Sequence, residues 1–269
     1  MNADEPFPHI STASCTERPS VRVHVASINT APVTELCVRT MRMRAGYPFE
    51  LIVGDGGSTD GSLEMLRQLE RDGWLELQVV PGGRSHAAWL DEWLAECPAR
   101  YAVFSDSDVE YLRDGWLDQM VAAAQQSRAA LVATRIQARG GTWYEHPVTG
   151  AKRVLAERPE PWLMMIDVAQ VRRVVSTSFA YRDETQPDGS KVAFDTAAAF
   201  FRDLQRDGLP YIEMPADFAG AYRHYGSMSW QRTGDRRMPI ARRFKQLAKR
   251  ARIRIRLYRA RTRSRGAHA

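Results

Sequence analysis

The stretch Tyr101-Ala-Val-Phe-Ser-Asp-Ser-Asp-Val109 reads as a buried strand that runs out into two carboxylates one residue apart. In an extended chain residues i and i+2 share a face, so Asp106 and Asp108 project together if that conformation persists. Adjacent carboxylates repel, and a shared proton or a bound cation relieves the repulsion. An oxygen pair at a strand end suits a hard ion such as Mg²⁺ or Mn²⁺, which takes its remaining ligands from water and substrate phosphates. A solvated turn rich in Asp and Ser is the alternative at this point.

Working outward, strands and helices alternate. Val21–Ser27 reads as a first strand, alternating apolar and polar before small residues take over. Pro32 opens a helix whose positions Val33, Leu36, Cys37, Thr40 and Met41 lie at helical spacing. Phe49–Gly54 is a second strand, stopped by Asp55-Gly-Gly-Ser-Thr-Asp-Gly-Ser62, a loop able to cap a helix over Leu63–Arg71. A third strand (Trp74–Val80) and a helix (Ser85–Cys97) lead to the Asp106 strand. Short loops between alternating strands and helices predict parallel βαβ units, whose ligand lies beyond the carboxyl ends of the strands. Ser27, Asp55 and Asp106 all fall at such ends.

The second half is less regular. We expect a strand at Ala130–Ile136, a Gly-rich stretch at Arg139–Ala156, an apolar run at Trp162–Val168, a helix at Ala169–Val175 and a short strand at Tyr211–Pro215. The polar loop Arg182–Lys191 is a candidate lid. Asp195–Asp207 is expected to be an amphipathic helix with Ala198, Phe201 and Leu204 inward and Gly208 as its stop.

The chain has 269 residues, 44% hydrophobic and 26% charged, which is ordinary globular composition. Cys15, Cys37 and Cys97 have neither CxxC nor metal-type spacing, which argues for a reducing compartment. No signal peptide and no bilayer-spanning run is visible, so a cytoplasmic location is expected. The net charge of +6 conceals an asymmetry: from Arg236 onward there are 14 Lys and Arg and no acid, whereas the remainder carries 24 basic against 32 acidic residues. We divide the chain into a leader (1–20), a main domain (21–235, halved near residue 110) and a basic tail (236–269). In the tail Ile240, Phe244, Leu247, Ala251, Ile255 and Tyr258 recur at helical steps. One apolar stripe on a cationic helix is the pattern of an interfacial helix on anionic lipid. A solvated tail or a nucleic-acid contact are the other readings.

Over residues 21–230 the order of motifs resembles the family 2 glycosyltransferases of GT-A fold. The resemblance rests on a first strand ending in Ser27 and Asn29, on "IVGDGGSTDGS", and on "VFSDSDVEYL" about fifty residues later. A later helix then ends in Arg-Asp-Gly and is followed by His224 and Ser229-Trp230. It implies an α/β fold with a mostly parallel central sheet flanked by helices, the basic amphipathic helix following it. It also implies metal-dependent, inverting sugar transfer from a nucleoside diphosphate sugar to a glycan, lipid-linked or small-molecule hydroxyl. By that resemblance Ser27, Asn29 and Asp55 would contact the nucleotide, with Asp55 facing a ring N–H of a uracil or thymine base. Arg84 and His86 would lie on the phosphate or ribose side. Asp106 would touch ribose or a metal-bound water, and Asp108 and His224 would hold Mn²⁺ or Mg²⁺.

Asp195 would be the general base; at a helix start the terminal partial charge favours a proton-accepting carboxylate, although a plain cap of a helix starting at Thr196 is the competing use. Trp143, Tyr144 and Trp162 are candidate acceptor-side platforms by their aromatic faces, with ordinary core packing the competing and more usual use of Trp162. The chain departs from the family pattern at Phe194, Gly56, Asp91 and Ala26-Ser-Ile-Asn29. A sugar-1-phosphate nucleotidyltransferase is the alternative on a similar fold, but Ser27–Pro32 lacks the Gly and Lys/Arg such enzymes carry there. A nucleic-acid-binding protein led by the tail is the alternative outside enzymes.

Overall fold

The structure is a computed structural model that describes residues 20–140, 143–145, 152–173, 178–185, 191–226, 228 and 240–266, with the backbone alone at 143–145, 152–153, 240–244 and 265–266. Its first half follows the expected alternation: β1 (Val21–Ser27), α1 (Ala31–Arg44), β2 (Glu50–Asp55), α2 (Ser62–Arg71), β3 (Glu76–Val79), α3 (His86–Glu96) and β4 (Tyr101–Asp106). Next come β5 (Val109–Tyr111), α4 (Trp116–Ser127), β6 (Leu131–Ala133), β7 (Ile136–Gln137), β8 (Trp143–Glu145), β9 (Lys152–Leu155), β10 (Arg158–Pro159) and β11 (Leu163–Asp167). The chain ends with α5 (Val168–Val171), β12 (Arg182–Thr185), β13 (Lys191–Phe194), α6 (Ala198–Arg206), β14 (Tyr211–Glu213), β15 (Tyr222–His224) and α7 (Ile240–Gly266).

Seven strands form the central sheet in the order β14-β6-β11-β4-β1-β2-β3. β1 pairs in parallel with β2 and β4, and β2 with β3, while β11 runs antiparallel between β4 and β6. The register sets Ser27 beside Asp55 and Ala26 beside Asp106, so three loops open on one edge. On one face Val21, Val23 and Val25 meet Cys37, Val38 and Met41 of α1 and Trp116 of α4. On the other, Ile52 and Phe104 meet Trp89 and Trp93 of α3 and Phe200 of α6. Trp89 and Trp93 stack at 4.8 Å over Gly54, where a Cβ would lie 2.8 Å from both rings. Only glycine lets α3 lie this close to β2.

β1 is a strand as expected, and its polar position His24 is 2% exposed, stacked on Trp93 at 5.0 Å and tilted against Phe104. A central parallel strand is covered on both faces, so its polar positions are buried too. Several expectations change here. The expected lid Arg182–Lys191 is in its described part a pairing of β12 with β13, residues 186–190 lying outside the described residues. The strand expected over Ala130–Ile136 stops at Ala133, and Ile136 pairs with Pro159 in a separate two-stranded sheet. α6 starts at Ala198 rather than beside Asp195, because Ala197 takes a left-handed φ of 70° and sets the helix three residues beyond it.

The tail forms a helix, as expected, but docks by a face that the stripe did not mark. Ile253, Leu257 and Ala260 pack with Val33 and Leu36 of α1. Leu247, Ile255 and Tyr258 of the expected stripe are 61%, 56% and 70% exposed. The side chains of Ile240 and Phe244 lie outside the described residues.

Burial, and secondarily the Arg22 charge, lowers the His24 pKa to about 3. Its folded value lies below the ordinary 6.5 or so of an unfolded histidine, so its contribution is complete above pH 6.5 and lost as the pH falls towards 3. Urea unfolding should therefore show a loss of about 2 kcal/mol from this group between pH 7 and pH 5. His24→Phe should lack that loss, and an identical acid slope in both proteins would refute the assignment.

Candidate active site

The carboxylate pair is gathered by a turn rather than by continued extension. β4 ends at Asp106, Ser107 and Asp108 turn, and β5 begins at Val109. β5 pairs antiparallel with β15, placing His224 opposite Val109. His224 Nε2 then lies 3.0 Å from Asp108 Oδ1 and 3.5 Å from Asp106 Oδ2. Trp162 stacks on the imidazole at 4.5 Å and 20°, fixing its plane. His86, the first residue of α3, approaches from the other side, its Nε2 3.6 Å from Asp106 Oδ1.

Asp106, Asp108 and His224 offer three ligand atoms within 4.8 Å of one another. Burial alone would lower the His224 pKa, but the hydrogen bonds and charges of Asp106 and Asp108 outweigh it and raise the value to about 9. Burial tends to raise the Asp106 pKa, while His224, His86 and Arg158 bring it below the ordinary value. The imidazolium thus serves as the counter-cation of the two carboxylates. A divalent ion would replace that proton with a larger charge, and the mixed oxygen and nitrogen donors fit such an ion.

About two strand spacings away, on the order of 10 Å, β2 ends in Asp55. Its Oδ1 accepts from the backbone N–H of Gly57 (3.0 Å) and Ser58 (2.9 Å). Its Oδ2 is buried with no hydrogen-bond partner among the described residues. A buried carboxylate oxygen left bare is costly, and such an atom points to a ligand or an ordered water. Asn29, at a left-handed φ of 54°, ties the first loop to the second by accepting from Thr59 N at 2.7 Å, and its Nδ2 is likewise buried without a partner. The loop after β2 also closes on the one after β3, since Gly83 at φ 80° leaves space for the Gly56 carbonyl, 2.6 Å from where a Cβ would sit.

The other expected residues are placed as follows. The Ser27 hydroxyl joins Thr30 (3.2 Å) and Thr34 (3.1 Å) in a buried network that reaches Ser107 through Thr30. Arg84 is ion-paired with Glu92 and lies over the Trp89 ring at 4.8 Å. Trp162 lies on His224, and the side chains of Trp143 and Tyr144 lie outside the described residues. Asp195 follows β13, its Oδ1 accepting from Thr196 N (2.8 Å) and its Oδ2 from Arg158 (2.6 Å). Its cationic neighbour is therefore Arg158 and not a helix end.

Arg158 was missed by the reading of the sequence, although Glu157-Arg-Pro-Glu-Pro161 ahead of an apolar run is an unusual way to place one. Glu110 was missed too: it is 4% exposed and accepts from Tyr225 Oη (2.7 Å) and Arg256 (2.5 Å). Glu160, whose pKa burial raises, lies 3.5 Å from Tyr222 Oη.

Comparison with known proteins bears on the fold and the family. The structure is similar to a mannosyltransferase, PcManGT, from Pyrobaculum calidifontis in complex with GDP-Man and Mn²⁺, with a TM-score of 0.52 and 20% identity over 75% of this chain and 56% of that one. It is more distantly similar to S. aureus TarS, at a TM-score of 0.45 and 15% identity over 60% of this chain and 30% of that one. The chain thus spans about half or less of the length of these relatives. No curated protein matches it. The family model for glycosyl transferase family 2 matches residues 23–208. With that match over most of its length, and with a mostly parallel sheet flanked by helices as in its GT-A neighbours, the chain belongs to glycosyl transferase family 2.

Proposed function

We propose that the enzyme transfers a sugar from a nucleoside diphosphate sugar to an acceptor hydroxyl, with inversion and with the help of a divalent ion. The carrying observation is the Asp106–Asp108–His224 cluster on the same sheet edge as the bare Oδ2 of Asp55. Asp108 and His224, with Asp106 beside them, would hold Mn²⁺ or Mg²⁺, which neutralises charge on the departing diphosphate. Asp55 Oδ2 accepts a ring N–H of the base, favouring a UDP or dTDP donor, with Ser27 and Asn29 shaping that end. Asp106 and His86 lie towards the ribose and Arg84 towards the phosphates. Asp195, oriented by Arg158 and Thr196, takes the proton of the attacking hydroxyl, a role worth ~10²–10⁴-fold. Trp162, stacked on His224, would border the acceptor side.

Incubation with a panel of UDP, dTDP and GDP sugars, with Mn²⁺ or Mg²⁺ present, should release one nucleotide in preference to the others. Asp195→Asn should cut transfer ~10²–10⁴-fold while leaving donor binding in place. Silence across the panel would reject the function, and near-normal transfer by Asp195→Asn would reject the base.

Because His224 carries a proton up to about pH 9, metal binding must displace it. Mn²⁺ affinity should rise about tenfold per pH unit from pH 6 to 8. Electron paramagnetic resonance titration measures this, and a flat profile would remove His224 from the ligand set.

The acceptor side extends to location. Among the described residues no helix is long and apolar enough to cross a membrane. With Ile253, Leu257 and Ala260 committed to α1, α7 turns Leu247, Ile255 and Tyr258 outward. Helical spacing sets Arg250 and Arg254 along one border of that stripe and Arg252, Arg259 and Arg263 along the other. Each basic group near an anionic surface adds on the order of 1 kcal/mol. This supports a peripheral protein on the cytoplasmic face of the membrane, acting on a lipid-linked or membrane-proximal acceptor. The chain should float with vesicles containing phosphatidylglycerol at low salt, and Ile255→Asp with Tyr258→Ser should stay behind. Equal flotation of both, or binding to RNA in place of vesicles, would overturn this placement.

A further inference from the structure

The strand that carries His224 is weakly held by its own sheet. β15 is three residues long and, among the described residues, pairs only with the three-residue β5. A ribbon of this size is marginal without outside support. The histidine is nevertheless packed to a fixed distance from both carboxylates, so its support comes from elsewhere.

Much of that support comes from α7. Arg256 Nη1 donates to Glu110 Oε1 at 2.5 Å, and the other oxygen of Glu110 accepts from Tyr225 Oη at 2.7 Å. Glu110 is on β5, two residues past Asp108, and Tyr225 directly follows His224. Lys249 Nζ donates to the Gly226 carbonyl at 2.6 Å. The segment so gripped reaches back to the pair: Tyr225 N donates to the Asp108 carbonyl (2.9 Å) and Met228 N to Asp108 Oδ2 (3.4 Å). Tyr225 and Met228 also pack on the small core shared by α1 and α7.

We infer that α7 is a working part of the metal site, with Arg256 and Lys249 as positioning residues that hold His224 and Asp108 in ligating geometry through Glu110 and Gly226. The inference rests on the metal reading of Asp106, Asp108 and His224. It assigns the tail a role inside the catalytic domain, distinct from any contact of its outer face.

The test is Mn²⁺ titration of the full chain by electron paramagnetic resonance, with transfer measured against metal concentration. Arg256→Leu and Lys249→Met should each weaken Mn²⁺ binding about 10- to 100-fold, the range seen when groups that orient ligands are removed. Turnover should recover at saturating metal, which a partly unfolded protein would not do. Arg256→Lys should fall between, and Thr262→Ala, on an exposed part of the same helix, should match the unmodified chain. Should Arg256→Leu fail to fold, Lys249→Met and Arg256→Lys still decide. Unchanged Mn²⁺ affinity in both positioning variants overturns the inference while leaving the metal reading intact. Failure of the unmodified chain to bind Mn²⁺ overturns both.

Discussion

Two carboxylates held against one imidazole at the open end of a parallel sheet set the terms for the surrounding structure. Asp106 and Asp108 come close because β4 ends in a turn, and their repulsion is relieved by His224, which stays protonated well above neutrality. That arrangement needs the imidazole to arrive from a segment more than a hundred residues away and to be held in plane. Trp162 supplies the plane by stacking, β5 supplies the register, and the segment after β15 closes over Asp108. The site is best understood as a charge problem solved by long-range packing.

The same logic explains the charge asymmetry of the chain. A body with an excess of acids followed by a tail of 14 basic residues invites the idea of two independent parts. In the folded chain some of these charges face one another. Arg261 pairs with Glu35 of α1, which is 4% exposed, and Arg256 with Glu110, also 4% exposed. Arg39 and Arg223 face the same two glutamates, at 2.9 and 3.7 Å, so the tail supplies one of two cations to each buried carboxylate. Its loss would leave their charge undercompensated. The Glu35 pKa shows it: burial pushes it up, and Arg261 and Arg39 bring it below the ordinary value.

Much of the sheet was legible because its central strands are short apolar runs ending in small or acidic residues. Ser27, Asp55 and Asp106 could be set on one edge from that pattern, and the register agrees. β11 was visible as an apolar run, but nothing local reveals that it runs antiparallel, since direction depends on the connection. β15 was invisible as a strand: three residues carry no period, and its partner lies a hundred residues upstream. The Arg158–Asp195 contact was hidden for the same reason, as ion pairs between distant segments leave no spacing to read. The alternation in β1 identified a strand but carried no sign that its polar positions, His24 among them, are covered on both faces.

The tail shows a subtler limit of periodicity. Among the described residues, Leu247, Ile255 and Tyr258 of the strongest apolar repeat in α7 stay outside, while the docked face is Ile253, Leu257, Ala260 and Ser264, interrupted by small and polar residues. A face that docks through ion pairs and a hydroxyl contact, Arg39 to Ser264 at 3.1 Å, needs less apolar area than one that docks by hydrophobic burial alone. Reading the more hydrophobic stripe as the buried one would therefore invert the helix. Ion pairs mark the docked side: Arg256 meets the buried Glu110 of β5, and Arg261 the buried Glu35 of α1.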